Sequence, residues 1–182
     1  MKIPVDENTS LELLEEIHAE SLFNLVNTNR DHLRTWLPWV DQMRSVTNFR
    51  QHIAETKKRA ADRSDYGLAI IINKNIAGRI GLHHINHQNK IAEIGYWLAD
   101  GMKGKGIITK CCTALINYAF TSMDMNRIEI KCGVGNERSR AIPEKLHFKQ
   151  EGILRQAEWL NGKFIDLYLY AMLKEDWKNS NA

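Results

Sequence analysis

The sequence predicts an α/β protein built on one mixed sheet, and three observations predict it. Segments 66–73, 76–86 and 91–99 ("YGLAIIIN", "IAGRIGLHHIN", "IAEIGYWLA") are β-prone. The short turns "KN" and "HQNK" join them, which marks an antiparallel meander. The stretch 95–120 then runs from strand-like residues, through three glycines, into a helix. A further strand follows at 127–134. Those two strands can pair in parallel through a right-handed crossover. Finally, Asn161-Gly162 sits between two apolar runs, the strongest hairpin signal in the chain.

The elements follow in order. "LELLE" (11–15) alternates weakly and reads as a short first strand. Ala19, Leu22, Phe23 and Val26 recur at i, i+3, i+4 and i+7, an amphipathic helix. "RDHLRTWLPWVD" (30–41) is a short helical piece stopped by Pro38. A second helix is expected from Thr47, as N-cap, to Asp62. After the meander, Ile108, Cys111, Leu115 and Ala119 share one helical face, with Ile116 and Phe120 beside them. "RIEIKCGV" alternates cleanly: Ile128, Ile130 and Cys132 face one way, Glu129 and Lys131 the other. "NERSRAIPEKL" (136–146) reads as a short helix limited by Pro143. "ILRQAEWL" and "KFIDLYLYAML" are the two arms of the hairpin.

Composition bounds the function. At 182 residues, 43% hydrophobic and 26% charged, the chain is expected to be one domain, 1–182, with one core. It has no run of about 18 apolar residues, so no membrane span is expected. "MKIPVDENTSLELLEE" lacks the apolar core of a signal peptide, which points to the cytoplasm. Three cysteines cannot all pair, and Cys111 and Cys112 are helix neighbours, so reduced thiols are expected. A net charge of +3 is too small to argue for nucleic acid, and Lys57, Lys58 and Arg59 read as a solvated helix face. On a strand, His83 and His87 would point one way and His84 the other. With no Cys or carboxylate cluster beside them, no metal is expected.

Gly101, Gly104 and Gly106, interleaved with Lys103 and Lys105, fit neither common phosphate motif. A P-loop would need glycine where Ala99 stands and Ser or Thr where Gly106 stands; the dinucleotide spacing is reversed. A helix start still offers four unpaired N–H groups and a positive dipole end. Glycines there admit a phosphate to the backbone. From the loop alone two readings stay open: an anion cradle, or a turn whose glycines only satisfy its geometry.

The loop from Gly101 to Gly106 resembles the phosphate loop [QR]-x-x-G-x-[GA] of the GCN5-related N-acetyltransferase (GNAT) superfamily. Gly101 stands where Gln or Arg is usual, so one side-chain contribution is missing while the backbone cradle is intact. "NRDHLRTWLPWVD", "AEIGYWLADGMKGKGIIT", "IEIKCGVGNERSRAIPEKLHF" and "EGILRQAEWLNGKFIDLYLYAML" are similar to the ribosomal-protein-serine (RimL-type) branch. The likeness spans roughly residues 11–176. It implies a mostly antiparallel sheet with a splayed central parallel pair, flanked by helices. It implies acetyl-coenzyme A as donor and no metal. Met102, Lys103, Gly104, Lys105, Gly106 and Ile107 would hold the pyrophosphate. The pantetheine arm would pair the open backbone edge of 91–99, and an N–H near Trp97 or Leu98 would face the acetyl carbonyl.

The resemblance also suggests roles further along. Asn136 would cap its helix and hydrogen-bond the cofactor. The tyrosine that many family members carry seven residues later is Pro143 here, which leaves Ser139 as the hydroxyl near the thioester sulfur. His147-Phe148 replaces the usual Gly-Phe, which leaves the packing of that segment open. Glu158, in its "QAE" context, is the candidate base or amine-orienting residue, with Glu93 as second choice. An α-amine of pKa about 8 is roughly one-tenth neutral at pH 7, so a base has little to do. Trp36 and Trp39, flanking Pro38, read either as core or as an apolar wall over the acceptor. Cys132 matches a cysteine of the branch, but it shares a strand face with Ile128 and Ile130. A buried thiol and direct attack by the amine are therefore expected. The expected activity is acetylation of a primary amine, leaning to a ribosomal protein's N-terminal serine. The alternatives are a small-amine acetyltransferase, for a polyamine or antibiotic-like amine, and a non-catalytic acyl-coenzyme A sensor. Neither nucleic acid nor membrane is an expected partner. The sequence does not fix the oligomeric state, and a homodimer stays open.

Overall fold

The computed structural model describes residues 1–180. Eight strands form one sheet: β1 (Lys2–Asp6), β2 (Thr9–Leu13), β3 (Tyr66–Ile72), β4 (Asn75–Asn86), β5 (Ile91–Leu98), β6 (Arg127–Gly133), β7 (Lys149–Leu160) and β8 (Lys163–Leu173). Their order is β1-β2-β3-β4-β5-β6-β8-β7, and every neighbouring pair is antiparallel except β5–β6. Helices α1 (Ala19–Thr28), α2 (Arg30–Leu33) and α3 (Val46–Ala61) pack through Leu22, Leu33, Phe49 and Ile53 into one hydrophobic layer. Helices α4 (Ile107–Thr121), α5 (Glu137–Lys145) and α6 (Lys174–Ser180) join another, around Leu115, Ile130, Tyr170 and Trp177. The expected mixed sheet with flanking helices is the observed one. Among the described residues, no helix is long and apolar enough to cross a membrane.

Several local expectations need correction. The first strand is β1, where only Ile3 is buried, too thin a pattern to read; "LELLE" contributes its first three residues to β2. Helix α2 ends at Leu33, well before Pro38. The Arg30 guanidinium then ties the following loop by donating to the carbonyls of Val40 (2.6 Å) and Met43 (2.8 Å). The cap of α3 is Ser45, not Thr47: Ser45 Oγ accepts from the Asn48 amide, and Asn48 Oδ1 accepts from the Ser45 amide. The β3–β4 turn is Asn73-Lys74, both at positive φ, one residue earlier than "KN". A bulge after His83, with His84 at φ 51°, breaks the expected alternation of the histidines. His83 Nδ1 meets Asp65 at 2.8 Å and His87 meets the Arg63 carbonyl. Lys57 and Lys58 are exposed as expected, but Arg59 turns inward to line a cavity.

Pro143 does not limit α5; it lies inside it, buried. A proline interior to a helix deprives the carbonyl four residues earlier of its donor. That carbonyl belongs to Ser139, and the Tyr96 hydroxyl of β5 donates to it at 2.9 Å. Burial pushes the Tyr96 phenol well above its usual range, so the group stays a donor. The segment after α5 is ordered by its backbone: the amides of His147 and Phe148 donate to the carbonyls of Glu144 and Pro143, and Phe148 is buried. His147 occupies the left-handed position, φ 60°, where the family's usual glycine would sit without strain. His147→Gly should therefore raise stability by about 1 kcal/mol, read as a shifted urea midpoint with unchanged slope. A lower midpoint would contradict this account.

Candidate active site

The site begins where the sheet opens. Strands β5 and β6 pair only from Ile91↔Arg127 to Glu93↔Glu129, although β5 continues to Leu98 and β6 to Gly133. Beyond Glu93 the facing edges diverge, leaving backbone groups that a ligand with amides of its own can pair. Trp97 and Leu98, each 9% exposed, end this open edge.

The glycine loop follows at once. Asp100–Met102 make one 3₁₀ turn, then Gly104 and Gly106 both take φ +72°. A Cβ at either would meet nothing within 4 Å, so open space lies over the backbone there. Gly106 is the N-cap of α4 and supplies no side-chain acceptor, so the helix start has no cap of its own. Neighbours brace the loop: the Asp100 amide donates to Asn29 Oδ1 at 2.8 Å, and Lys105 Nζ to the Gly101 carbonyl at 3.0 Å. Lys103 Nζ pairs with Asp100 and meets His32 Nδ1 at 2.9 Å. Burial, then the charges of Lys103 and Arg138, depress the His32 pKa. Neither His32 nor Arg138 was singled out in the sequence, where no spacing links them to the loop. Positive-φ glycines, a helix start without a side-chain cap and clustered cations suit a pyrophosphate. Met102 and Ile107 are half-buried beneath the loop.

Helix α5 closes the other side. Asn136 caps it, its Oδ1 accepting from the Ser139 amide at 3.2 Å. Ser139 Oγ lies 3.4 Å from the Tyr96 hydroxyl, so Ser139 is tied to the open strand through both backbone and side chain. Cys132 is 4% exposed beneath this helix, and burial pushes its thiol up to about 11. At neutral pH it is a thiol, a poor nucleophile. Cys132→Ala should keep most activity and lower stability by roughly 1 kcal/mol. An acetyl adduct on Cys132, seen by intact mass, would contradict direct transfer.

On the sheet's other face, Glu93 Oε2 accepts from Lys131 Nζ at 2.7 Å. Glu158 is half-buried; burial, then the charge of Glu93, raises its pKa. Its placement depends on a bulge. Leu154 pairs with Leu167 and Glu158 with Ile165, so residues 155–157 oppose Asp166 alone. Gln156, at φ 50°, donates its amide to Asp166 Oδ1 at 2.7 Å. The two tryptophans separate. Trp36 lies over β6's end, within 3.1 Å of where a Cβ on Gly133 would stand, and Asn161 Nδ2 donates to the carbonyls of Arg34 and Thr35 beside it. Trp39 stacks obliquely on Trp97, ring centres 6.0 Å apart, in the wall of a cavity.

The structure therefore sets the glycine loop at the end of the open strand edge and ties Asn136 and Ser139 to that edge through Tyr96, while Glu93 and Lys131 pair across the splayed strands and Trp36 lies over the end of β6. Among the described residues, no cluster of His, Cys, Asp or Glu could hold a metal ion.

Comparison with known proteins identifies the family. The model of the acetyltransferase (GNAT) domain matches residues 9–149. The chain is 38% identical over 175 residues to the putative ribosomal N-acetyltransferase YdaF of Bacillus subtilis, covering 96% of both. It is 33% identical over 173 residues to the ribosomal-protein-serine acetyltransferase of Escherichia coli, covering 94% of this chain and 96% of that one. Among solved structures, it superposes with a TM-score of 0.93 and 31% identity on RimL, the ribosomal L7/L12 alpha-N-protein acetyltransferase, in complex with coenzyme A bound through a cysteine disulfide; 97% of this chain and 99% of that one are covered. The chain belongs to the GNAT acetyltransferases, enzymes that draw their acetyl group from acetyl-coenzyme A.

Proposed function

We propose that this protein, acting as one domain in the cytoplasm, acetylates the α-amine of a ribosomal protein that begins with serine. The observation that carries the reading is the end-to-end likeness to a ribosomal-protein-serine acetyltransferase. When bound, acetyl-coenzyme A supplies the acetyl group as an activated thioester. Amides from Gly104 to Ile107 hold its pyrophosphate, while those of Met102 and Lys103 donate to the Ala99 and Asp100 carbonyls and shape the turn; the Lys103 and Lys105 side chains add charge. The open edge of β5 pairs its arm, and the Leu98 N–H aims at the acetyl oxygen; the Trp97 N–H, on the same side as the Ala99 amide that donates to Ala77, faces β4 instead. Asn136 contacts the arm through its unused amide nitrogen.

Glu158 accepts the proton of the incoming ammonium. An ordinary glutamate near 4.3 would be a weak base for it, and the upward shift from burial and Glu93 moves Glu158 in the useful direction. Glu93, anchored by Lys131, keeps a second negative charge near the amine's path. Ser139 turns its hydroxyl proton from the long contact with Tyr96 and donates a hydrogen bond at the leaving sulfur. Trp36 and Trp39 wall the acceptor approach.

The test is an acceptor screen by mass spectrometry, comparing serine-starting peptides with polyamines, together with free-thiol release with and without amine. Acetylation of the peptide α-amine supports the reading. Transfer to polyamines alone would replace it with a small-amine enzyme, and no amine-dependent thiol release would leave only a binding protein.

A further inference from the structure

Between α3 and the sheet lies a cavity of about 380 Å³, lined by Trp39, His52, Arg59, Arg79, His83 and Trp97. Gly95 forms part of its wall, on the same face of β5 as Glu93 and just past the point where β5 leaves β6. The cavity therefore adjoins the splayed end, on the side from which an amine would arrive.

Its charge is unbalanced. Arg79 Nη1 donates to His52 Nε2 at 2.7 Å, and Arg79 Nε is buried without a partner. Arg59 Nη2 donates only to the Thr56 hydroxyl, at 3.3 Å. Among the described residues neither arginine makes an ion pair. The carboxylate in the vicinity, Asp65, is engaged by His83 at 2.8 Å. Burial and Arg79 depress the His52 pKa to about 4, so His52 accepts as a neutral ring and adds no charge. Guanidinium groups do not lose their proton at working pH. Two permanent cations thus line one cavity with a single carboxylate, Asp65, near enough to act on Arg79, which leaves a net positive charge for an anion to neutralise. A guanidinium with a free buried N–H presents a fork that suits a carboxylate.

We propose that this cavity is an acceptor subsite for a carboxylate carried close to the amine that is acetylated, with Arg79 as its main ligand and Arg59 as the second. The inference rests on the reading that the amine meets the thioester beside β5. Two sources share this chemistry: the α-carboxylate of an amino-acid-like acceptor, and an acidic side chain at the second or third residue of a protein N-terminus.

The experiment measures kcat/KM at saturating acetyl-coenzyme A for matched pairs. The pairs are peptides starting Ser-Asp against Ser-Asn, and free serine against serinamide, with spermidine alongside. The wild type should favour the acid member of at least one pair by about tenfold or more. In Arg79→Met that ratio should collapse to near unity, and Arg79→Lys should restore part of it. Melting temperature and calorimetric acetyl-coenzyme A binding check that the variants are folded. Equal wild-type rates for acid and amide in both pairs, or a ratio unchanged in folded Arg79→Met, would overturn the subsite. Peptides acetylated without acid preference, with free serine no better than serinamide, would leave the N-terminal reading standing and remove only the subsite. A preference for free serine over serinamide with both peptides left unacetylated would keep the subsite and remove the protein acceptor.

Discussion

Glu158→Gln should lower the turnover rate about 10²-fold at pH 6 and much less at pH 9, measured with the true acceptor under saturating acetyl-coenzyme A. At low pH nearly all α-amine is ammonium, and a base must take its proton; at high pH the free amine is abundant and the base is dispensable. The loss sits at the lower end for general-base removal because of that partial neutrality, and would grow for a lysine-like amine. Stability separates this from damage to the fold. The Glu158 pKa is raised in the folded state, by burial first and Glu93 second. Its carboxylate is thus disfavoured there, and folding stability falls as pH rises through the window between the unfolded and folded pKa values. The glutamine variant should accordingly be at least as stable as the wild type at pH 7, with the advantage fading below about pH 4. Ser139→Ala should lower the rate with little pH dependence, because the same carbon–sulfur bond breaks at every pH. Two variants with wild-type rates across pH 6–9 would strip both residues of their roles and leave the acetyltransferase standing.

Gly104→Val should weaken acetyl-coenzyme A binding by about tenfold or more in calorimetry. Gly104 sits at φ +72°, where a β-branched residue is strained. Nothing lies within 4 Å of the position its Cβ would take, so valine meets no protein atom. In the proposed binding mode, what it meets is the phosphate that approaches the loop backbone. A branched side chain there removes the close approach that the glycine allows. Unchanged affinity in a folded Gly104→Val protein would remove the pyrophosphate from this loop.

Sequence legibility followed distance along the chain. The alternation of Ile128, Ile130 and Cys132, the stripe along α4 and the Asn161-Gly162 turn are local patterns, and each element lies where they place it. The loop was legible for the same reason: its glycines, lysines and helix start are contiguous. The capping error was local too, since Ser45 and Thr47 are both good caps and only the reciprocal bonds with Asn48 choose between them. What escaped reading depends on tertiary partners. Nothing in "NIAGRIGL" says that Arg79 turns under α3 to meet His52, which is 27 positions away. Nothing in "RQAEWL" reveals that Asp166 captures the Gln156 amide and slips the strand. Glu158 was found through family likeness alone; its raised pKa comes from burial and from Glu93, on a different strand.

Pro143 carries a consequence for any attempt to give this enzyme the family's usual acid. A tyrosine placed there would bring a phenol, but also an amide N–H. That amide would claim the Ser139 carbonyl as an ordinary helix bond. The Tyr96 hydroxyl, which now reaches across to that carbonyl at 2.9 Å, would then share an acceptor that no longer depends on it. The two positions are therefore coupled through one acceptor. Proline at 143 requires a donor on the neighbouring strand, and an amide at 143 releases that strand from the duty. Positions 96 and 143 form one two-letter word, and the coupling runs one way: losing the Tyr96 hydroxyl while proline stays at 143 leaves the Ser139 carbonyl without a donor, whereas an amide at 143 supplies one.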